Sequence, residues 1–496
     1  MKNLLPKFLL VLAGATAQAG DVPAMPAHPN DWQPNILFLF TDDQRHDTIR
    51  ALGNTGIQTP NIDRLAGQGL AFRNAYIMGA SSPAVCSPSR ACLMSGLTLW
   101  NIECQGLYGF EISEKYKTLP QVFREHGYTT FATGKNEPGR TGAFARSFTT
   151  GDKILFKGMT KSQFNLPLHE FSPEGNYPDR GSKMQQGKHS AEVYADATIR
   201  FLEAQAGSRQ PFFAYVAFQT PHDPRQSPQD YRAMYQDGDM KPPPSFLPQH
   251  PFDNGMLEIR DEKLARHPRT EEVIRKVTAD YYACITHTDA QIGRILQALE
   301  KSGKRDNTII VFSSDNGLAV GSHGLMGKQS IYDHSVHVPL ILTGPGIPRG
   351  KSSDALCYLY DIYPTLCERA GIVTPATVQF RSLNGVIENP SADFRDHLAF
   401  GFMSWQRGLR DKQYKLIEYC VGDARHTQLF DLARDPEEIR NLADDKAHSD
   451  TLARLRKILL QDRVDLNDGN TPYPFSNAFG VDFWTRYDAA AGSASP

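Results

Sequence analysis

The sequence predicts an α/β fold: a large, doubly wound, mostly parallel sheet domain with a smaller C-terminal α+β subdomain. Short, continuously apolar runs end in polar turns, and helical patterns lie between them, which favours strands buried on both faces of a parallel sheet. After about Asn384 the apolar pattern alternates instead, as in half-exposed antiparallel strands. We therefore predict a large sheet domain over 34–383 and a C-terminal subdomain over 384–496.

Each predicted element of the large domain has its own pattern. Residues from about Thr270 to Lys301 carry apolar side chains at a spacing of three to four, and Gly303 follows, which predicts a long helix. Residues 236–269 are rich in proline and charge and predict a surface excursion. The predicted buried strands are Asn35–Phe40, Pro211–Phe218, Thr308–Phe312 and Val338–Leu342.

The C-terminal subdomain shows a different periodicity. Residues Tyr414–Tyr419 alternate between polar and apolar side chains, and Gln428–Asp431 resembles a second strand of the same kind. We expect these two segments to be antiparallel strands.

The overall composition excludes several classes of protein. The 496 residues include 53 Lys+Arg and 55 Asp+Glu, so the net charge of −2 offers no basic excess for nucleic acid. Charged residues make up 22% and hydrophobic ones 40%, which is ordinary for a globular protein. None of the seven cysteines forms a C-x-x-C pair, so a structural zinc site or a thioredoxin motif is not expected.

Residues 1–19 have the pattern of a signal peptide. Lys2 and Lys7 border the apolar run 8–13, and Ala17-Gln-Ala19 fits a small-residue cleavage site. The alternative, a membrane anchor, needs about 20 apolar residues, and this run is shorter. We expect a secreted or periplasmic protein without membrane insertion after cleavage.

Polar clusters follow three of the predicted strands. They are Asp42-Asp43, His222 and Asp315-Asn316. In open parallel sheets, ligands bind outside the carboxyl ends of the strands, where these clusters would meet. Each cluster alone is also common in turns and helix caps. Together they supply four hard oxygen ligands, which suit Ca²⁺ or Mg²⁺ rather than zinc.

A cysteine motif makes the functional prediction more specific. By composition Cys86-Ser-Pro-Ser-Arg90 is a cysteine in a Pro/Ser turn, either a small buried residue or a thiolate near an arginine. Together with the following segment Ala91–Gly96, it strongly resembles the signature of the type I, formylglycine-dependent sulfatases of the alkaline phosphatase superfamily. Further segments that resemble this family occur in family order between 34 and 445: Pro34–Gln44, Thr59–Ala66, Thr133–Lys135, Pro221-His222, Ser314–Gly317, His323–Lys328, Leu429–Pro436 and Asn441-Leu442.

The resemblance implies an alkaline-phosphatase-like sheet domain and a modified residue. A formylglycine-generating maturation enzyme would convert Cys86 to formylglycine. One Ca²⁺ per chain would be held by residue 86 and by four oxygen ligands, Asp42, Asp43, Asp315 and Asn316.

The resemblance also implies catalytic roles. One hydroxyl of the hydrated aldehyde would attack sulfur, and the second would lose its proton to expel sulfate, a step that a plain serine could not perform. His222 would protonate the departing alcohol, and His323 would line the substrate pocket. Arg90, Lys135 and Lys328 would neutralise the sulfate oxygens.

One catalytic position departs from the family pattern. The lysine motif reads Gly134-Lys-Asn-Glu137, so Glu137 stands where the family has a histidine that assists elimination. Glu137 either replaces that base or points away as a surface residue; both interpretations remain open. Asp333 and His337 stand where the family often has glutamate and arginine, which affects the outer pocket.

The predicted function is an exported sulfatase that hydrolyses sulfate esters of sulfated carbohydrate, either polysaccharide or glycosaminoglycan. The first alternative is a phosphonate or phosphate ester hydrolase of the same superfamily, because phosphoryl groups fit the same oxygen cage. The second is a non-catalytic binder of sulfated glycans with an unconverted Cys86. A serine esterase is disfavoured because the sequence has no G-x-S-x-G elbow.

Overall fold

The computed structural model describes residues 33–102, 112–136, 142–158, 160–177, 183–469 and 483–492. The predicted signal peptide, 1–19, and Glu137 lie outside these residues. Within the described ranges, no helix has the length and apolar character needed to cross a membrane.

The strands are numbered in chain order. They are β1 Asn35–Asp42, β2 Leu70–Phe72, β3 Ala75–Tyr76, β4 Gly79–Ala80, β5 Thr129–Lys135, β6 Thr150–Leu155, β7 Asn165–Leu168, β8 Lys183–Gln186, β9 Phe212–Pro221, β10 Thr308–Ser314, β11 Leu340–Thr343, β12 Lys351–Ser353, β13 Cys357–Tyr358, β14 His397–Phe402, β15 Gln406–Asp411, β16 Tyr414–Val421 and β17 Ala424–Asp431.

The helices are numbered in the same way. They are α1 Pro60–Gln68, α2 Cys86–Ser95, α3 Leu119–Glu125, α4 Gly142–Ser147, α5 Ser190–Gln205, α6 Gln229–Arg232, α7 Glu271–Lys301, α8 Asp333–Val336, α9 Ile362–Arg369, α10 Asn384–Glu388, α11 Ser449–Asp465 and α12 Phe483–Gly492. The predicted long helix is confirmed as α7, which is capped by the Thr270 side chain accepting from Val273 N.

The main sheet has eight strands in the order β12-β2-β11-β10-β1-β9-β5-β6. Its central strands β10, β1, β9 and β5 are parallel, as are the edge pairs β5–β6 and β12–β2. The predicted strand at 338–342 is present as β11, but it runs antiparallel to both of its neighbours. The mostly parallel α/β fold is thus confirmed.

Helices cover both faces of this sheet, as a doubly wound fold requires. On β1, Leu37 and Leu39 join one core with α1, α5 and α7. Ile36, Phe38 and Phe40 point to the other core, which contains residues of α2, α3 and α9. Because β1 is buried on both faces, its continuous apolar run follows directly from its central place in the sheet.

The second sheet has five strands in the order β17-β16-β15-β14-β4. The two predicted C-terminal strands are confirmed as the antiparallel pair β16–β17, but the predicted half-exposed character is wrong for β16, whose residues 415–420 are all buried. Leu409 and Leu416 of this sheet share a core with Leu455 of α11 and Trp484 of α12. Strand β4, from the N-terminal part of the chain, pairs in parallel with β14 and forms an edge of this sheet.

Candidate active site

The polar clusters predicted at three strand ends meet in the structure. Strand β1 lies between β9 and β10, so their carboxyl ends are adjacent. Asp43 N donates a hydrogen bond to Asp315 Oδ1 at 3.1 Å, and Asn316 Nδ2 donates to Asp43 Oδ1 at 2.8 Å. His222 Nε2 lies 3.8 Å from Asp43 Oδ2. Asp43 adopts φ 68°, a conformation that costs a non-glycine residue free energy and that occurs at functional sites.

This cluster has the donor set and the open valences of a cation site. Ligand atoms of Asp42, Asp43 and His222 lie within 4.8 Å of one another, and so do those of Asp42, Cys86 and Asp315. Asp42 Oδ1 and Asn316 Oδ1 are buried and accept no hydrogen bond from the described residues. Buried oxygens normally have a partner. These residues therefore fit a hard divalent cation such as Ca²⁺.

Cys86 is the first residue of helix α2, although its sequence suggested a turn. The helix N-terminus directs unpaired backbone N–H groups and partial positive charge toward this end. Lys135 Nζ donates to Asp42 Oδ2 at 2.6 Å and lies 3.4 Å from Cys86 Sγ. The predicted nucleophile position, a predicted metal ligand and a predicted sulfate-binding cation are thus in direct contact.

Arg90 lies one helical turn after Cys86 and is fully buried. Its Nε donates to Asp315 Oδ2 at 2.8 Å, and its Nη1 donates to Lys135 O at 3.0 Å and Tyr215 Oη at 3.3 Å. Its Nη2 has no hydrogen-bond partner in the described part of the chain and lies 4.0 Å from Asp42 Oδ2. The buried Nη2 amino group of the guanidinium is therefore available to donate to a ligand oxygen.

The position of Lys135 depends on the preceding glycine. Strand β5 changes register between Ala132 and Gly134, and Gly134 adopts φ 82°. A Cβ at Gly134 would lie 1.9 Å from Ala217 O on β9. Only glycine permits this close approach of the two strands, which sets the direction in which Lys135 leaves the sheet.

Lys328 approaches the cluster from the loop between β10 and α8. Its Nζ contacts Asp43 Oδ1, and only 2% of the residue is exposed. Burial alone would lower the pKa of Lys328, but Asp43 and the other nearby acids raise it well above the ordinary value. Burial, together with Asp42, raises the pKa of Asp315. The site therefore concentrates opposite charges in a volume from which water is largely excluded.

His222 has partners that the sequence did not predict. Its Nδ1 lies 2.8 Å from Asp223 O and 3.4 Å from Asp223 Oδ1. The Asp223 carboxylate accepts two hydrogen bonds from Arg260, at 2.5 and 2.7 Å. Arg260 belongs to the segment 236–269, which the sequence suggested only as a surface excursion. No motif links two residues 37 positions apart, so sequence patterns had no signal for this pair.

His323 lies at the contact between the Lys328 loop and the loop that follows β17. It is 7% exposed, its Nε2 is 3.0 Å from Glu438 O, and its ring stacks on Tyr332 at 3.9 Å. The described contacts of His323 are thus made with packing residues, and its predicted role in substrate binding stays a prediction. The predicted role of Glu137 concerns a residue outside the described ranges.

Comparison with known proteins identifies the family. The sulfatase family model matches residues 34–372, and a model of the C-terminal part of N-sulphoglucosamine sulphohydrolase matches residues 321–465. The chain belongs to the sulfatase family and is a sulfuric ester hydrolase, as the sequence predicted.

One relative agrees with this assignment, and two solved structures share the fold. An arylsulfatase of Clostridium perfringens is 30% identical over 474 residues, which cover 88% of this chain and 96% of the relative. The structure of BT4656 in complex with its substrate D-glucosamine-2-N,6-O-disulfate matches with a TM-score of 0.72 and 24% identity, over 88% of this chain and 99% of that one. A phosphonate monoester hydrolase of Agrobacterium radiobacter matches with a TM-score of 0.69 and 23% identity, over 88% and 96% of the two chains. The two structural matches establish the shared fold.

Proposed function

We propose that this protein hydrolyses sulfate esters of sulfated carbohydrate, with formylglycine at position 86 and Ca²⁺ bound by Asp42, Asp43, Asp315 and Asn316. The observation that carries the proposal is the contact of Lys135 with both Asp42 and Cys86. This contact joins the residue to be modified, the cation site and a positive side chain in one buried cluster.

The charges of the site support an anionic substrate. Arg90, Lys135 and Lys328 bring three positive charges against the three carboxylates of Asp42, Asp43 and Asp315, which leaves the described cluster close to neutral. A bound Ca²⁺ would polarise a sulfate oxygen and add two positive charges. The loaded site would then favour an anion, and low exposure to water strengthens that preference.

In this proposal the positively charged side chains bind the sulfate, and His222 transfers the proton. Lys135 is placed to orient residue 86 and to bind a sulfate oxygen. The unpartnered Nη2 of Arg90 and the ammonium of Lys328 supply further donors for the other oxygens. His222, with Nε2 on the Asp43 side of the ring, is placed to give a proton to the departing alcohol oxygen.

The choice of a carbohydrate sulfate rests on what is similar to this chain. BT4656 acts on a sulfated glucosamine, and its fold is shared by this chain. The phosphonate monoester hydrolase has the same fold, so phosphonate or phosphate monoesters are the second candidate substrates. A sulfated mono- or disaccharide panel assayed beside a phenyl phosphonate ester separates the two. We expect faster turnover of sulfate esters; faster turnover of phosphonate esters would favour the second candidate.

Export and maturation belong to the same proposal. Residues 1–19 would be removed on export, and a formylglycine-generating enzyme would act on Cys86. N-terminal sequencing of the mature protein should begin at Gly20; an intact N-terminus in an exporting host would contradict export by this signal.

Glu137 has a defined test although it lies outside the described residues. If its carboxylate accepts the proton in the elimination step, Glu137→Gln should lower kcat strongly, whereas Glu137→His should retain most of it. Equal activity of wild type and Glu137→Gln would assign Glu137 to the surface.

A further inference from the structure

We propose that Asp223 and Arg260 form a positioning pair that holds His222 in the tautomer and orientation needed to protonate the leaving alcohol. This inference rests on the proposed function of His222 as the general acid. Neither Asp223 nor Arg260 belongs to the strand-end clusters that the sequence indicated.

The atoms around His222 determine which of its ring nitrogens carries a proton. Nδ1 faces Asp223 O at 2.8 Å and Asp223 Oδ1 at 3.4 Å. A carbonyl oxygen and a carboxylate oxygen only accept hydrogen bonds. Nδ1 must therefore carry a proton in both charge states of the ring, and Nε2 is left as the atom that gains or loses one.

Nε2 of His222 points toward the predicted cation site. It faces Asp43 Oδ2 at 3.8 Å, so it lies on the side of the predicted cation and substrate. The backbone holds the residue in place, because His222 N donates to Gln219 O at 3.2 Å and Gln163 Nε2 donates to His222 O at 3.3 Å. With Nδ1 held as a donor, the imidazolium can release its proton only from Nε2, toward the substrate.

Asp223 is ionised, and Arg260 fixes the orientation of its carboxylate. Burial alone would raise the pKa of Asp223, but Arg260 and His222 lower it below its usual range, so the group stays a carboxylate. Arg260 binds both carboxylate oxygens in a bidentate arrangement, which fixes the plane of the group. Arg260 Nη2 also donates to Asp261 Oδ1 at 2.8 Å.

The network continues to the Lys328 loop. Gln329 Nε2 donates to Asp261 Oδ2 at 2.8 Å, and Lys328 N donates to Gln329 Oε1 at 2.9 Å. One chain of contacts therefore connects the segment 236–269 with His222 on one side and with Lys328 on the other. The segment that the sequence placed on the surface supplies the arginine that orders both.

The test uses leaving groups of different basicity, because a general acid matters most when the leaving oxygen is a poor leaving group. Wild type, Asp223→Asn, Arg260→Met and Arg260→Lys are compared on 4-nitrophenyl sulfate and on an alkyl or saccharide sulfate, all with formylglycine confirmed by mass. Glu258→Gln is the matched control, since Glu258 lies on the same segment and pairs only loosely with Lys263 at 3.5 Å.

We expect Asp223→Asn to lower kcat on the saccharide sulfate by about 10² to 10³ and on 4-nitrophenyl sulfate by less than about tenfold. Arg260→Met should show the same pattern more weakly, Arg260→Lys should recover part of the loss, and Glu258→Gln should resemble wild type. Equal losses on both substrates, or no loss on either, would overturn the positioning role.

A second measurement does not depend on turnover. In long-range ¹H–¹⁵N spectra of histidine-labelled protein, with the signal assigned by His222→Gln, Nδ1 should be protonated in wild type. Asp223→Asn keeps the carbonyl oxygen that accepts from Nδ1 at 2.8 Å, so Nδ1 should stay protonated there, but its signal should shift because the carboxylate oxygen at 3.4 Å is replaced; an unchanged signal would contradict the part assigned to the carboxylate. A wild-type ring protonated at Nε2 alone would contradict the positioning pair. A wild-type protein with the expected tautomer but no activity on any sulfate ester would instead refute the proposed function.

Discussion

The buried ion pair between Arg90 and Asp315 offers a quantitative test of how the site is held together. Both side chains are fully buried and their Nε–Oδ2 distance is 2.8 Å. Removing one partner of a buried pair leaves an uncompensated charge, which costs about 3–5 kcal/mol. We therefore expect Arg90→Met and Asp315→Asn each to lower the free energy of unfolding by about 3–5 kcal/mol in EDTA with unmodified Cys86.

The double variant isolates the pairwise contribution. Asn at 315 can still accept the hydrogen bond from Asp43 N, so Asp315→Asn removes the charge without leaving that N–H group unpaired. Because the two charges compensate each other, the loss in the double variant should fall short of the sum of the single losses by about 2–3 kcal/mol.

Equilibrium urea unfolding followed by intrinsic fluorescence gives the required free energies from the midpoint and the slope. The exposed pair Lys412–Asp393, at 2.6 Å, is the control, and its single variants should change stability by less than about 1 kcal/mol. Losses from Arg90→Met and Asp315→Asn that add to within about 0.5 kcal/mol would refute the mutual compensation argued here.

Two further predictions concern the cation site and the buried carboxyl group of Glu438. Ca²⁺ at about a hundred times its Kd should stabilise the protein by about 2.7 kcal/mol. Asp42→Asn should abolish this stabilisation, and the control Asp47→Asn should retain it. An unchanged stabilisation in Asp42→Asn would contradict the ligand assignment. Burial, reinforced by Asp333, raises the pKa of Glu438 to about 7 against an ordinary 4.5, so the folded chain binds a proton that the unfolded chain has lost. The stability that this group contributes falls as the pH rises from about 4.5 to 7. In thermal unfolding, Glu438→Gln should therefore gain stability relative to wild type over that pH range. A stability difference between the two proteins that stays constant with pH would refute the raised pKa of Glu438.

The sequence predicted the centre of the fold well because burial on both faces leaves a clear pattern. The continuous apolar runs of β1, β9 and β10 correctly indicated neighbouring strands whose polar ends meet. The same pattern did not indicate the direction of a strand relative to its neighbours. Strand β11 is equally apolar, yet it runs antiparallel to β10. Buried strands of either direction have the same side-chain environment, so their sequences look alike.

The site shows the same division between local and long-range information. Asp42, Asp43, Asp315 and Asn316 lie at or just after strand ends, and from that position the sequence correctly predicted that they lie close together. The helix that begins at Cys86 was missed, since a Pro/Ser segment has low helix propensity and its ten buried residues are held by tertiary packing. The contact of Arg260 was missed for a different reason: it joins Arg260 to Asp223 across the fold, and its proposed role rests on that contact.

The central claim is tested most directly by the mass of the proteolytic peptide that carries Cys86, from protein made in cells with a formylglycine-generating system. We expect an aldehyde at position 86, together with hydrolysis of a sulfated saccharide that is lost in the Cys86→Ala variant. An unmodified thiol at Cys86, in cells that convert a control sulfatase, would contradict the proposed mechanism and favour a non-catalytic glycan binder.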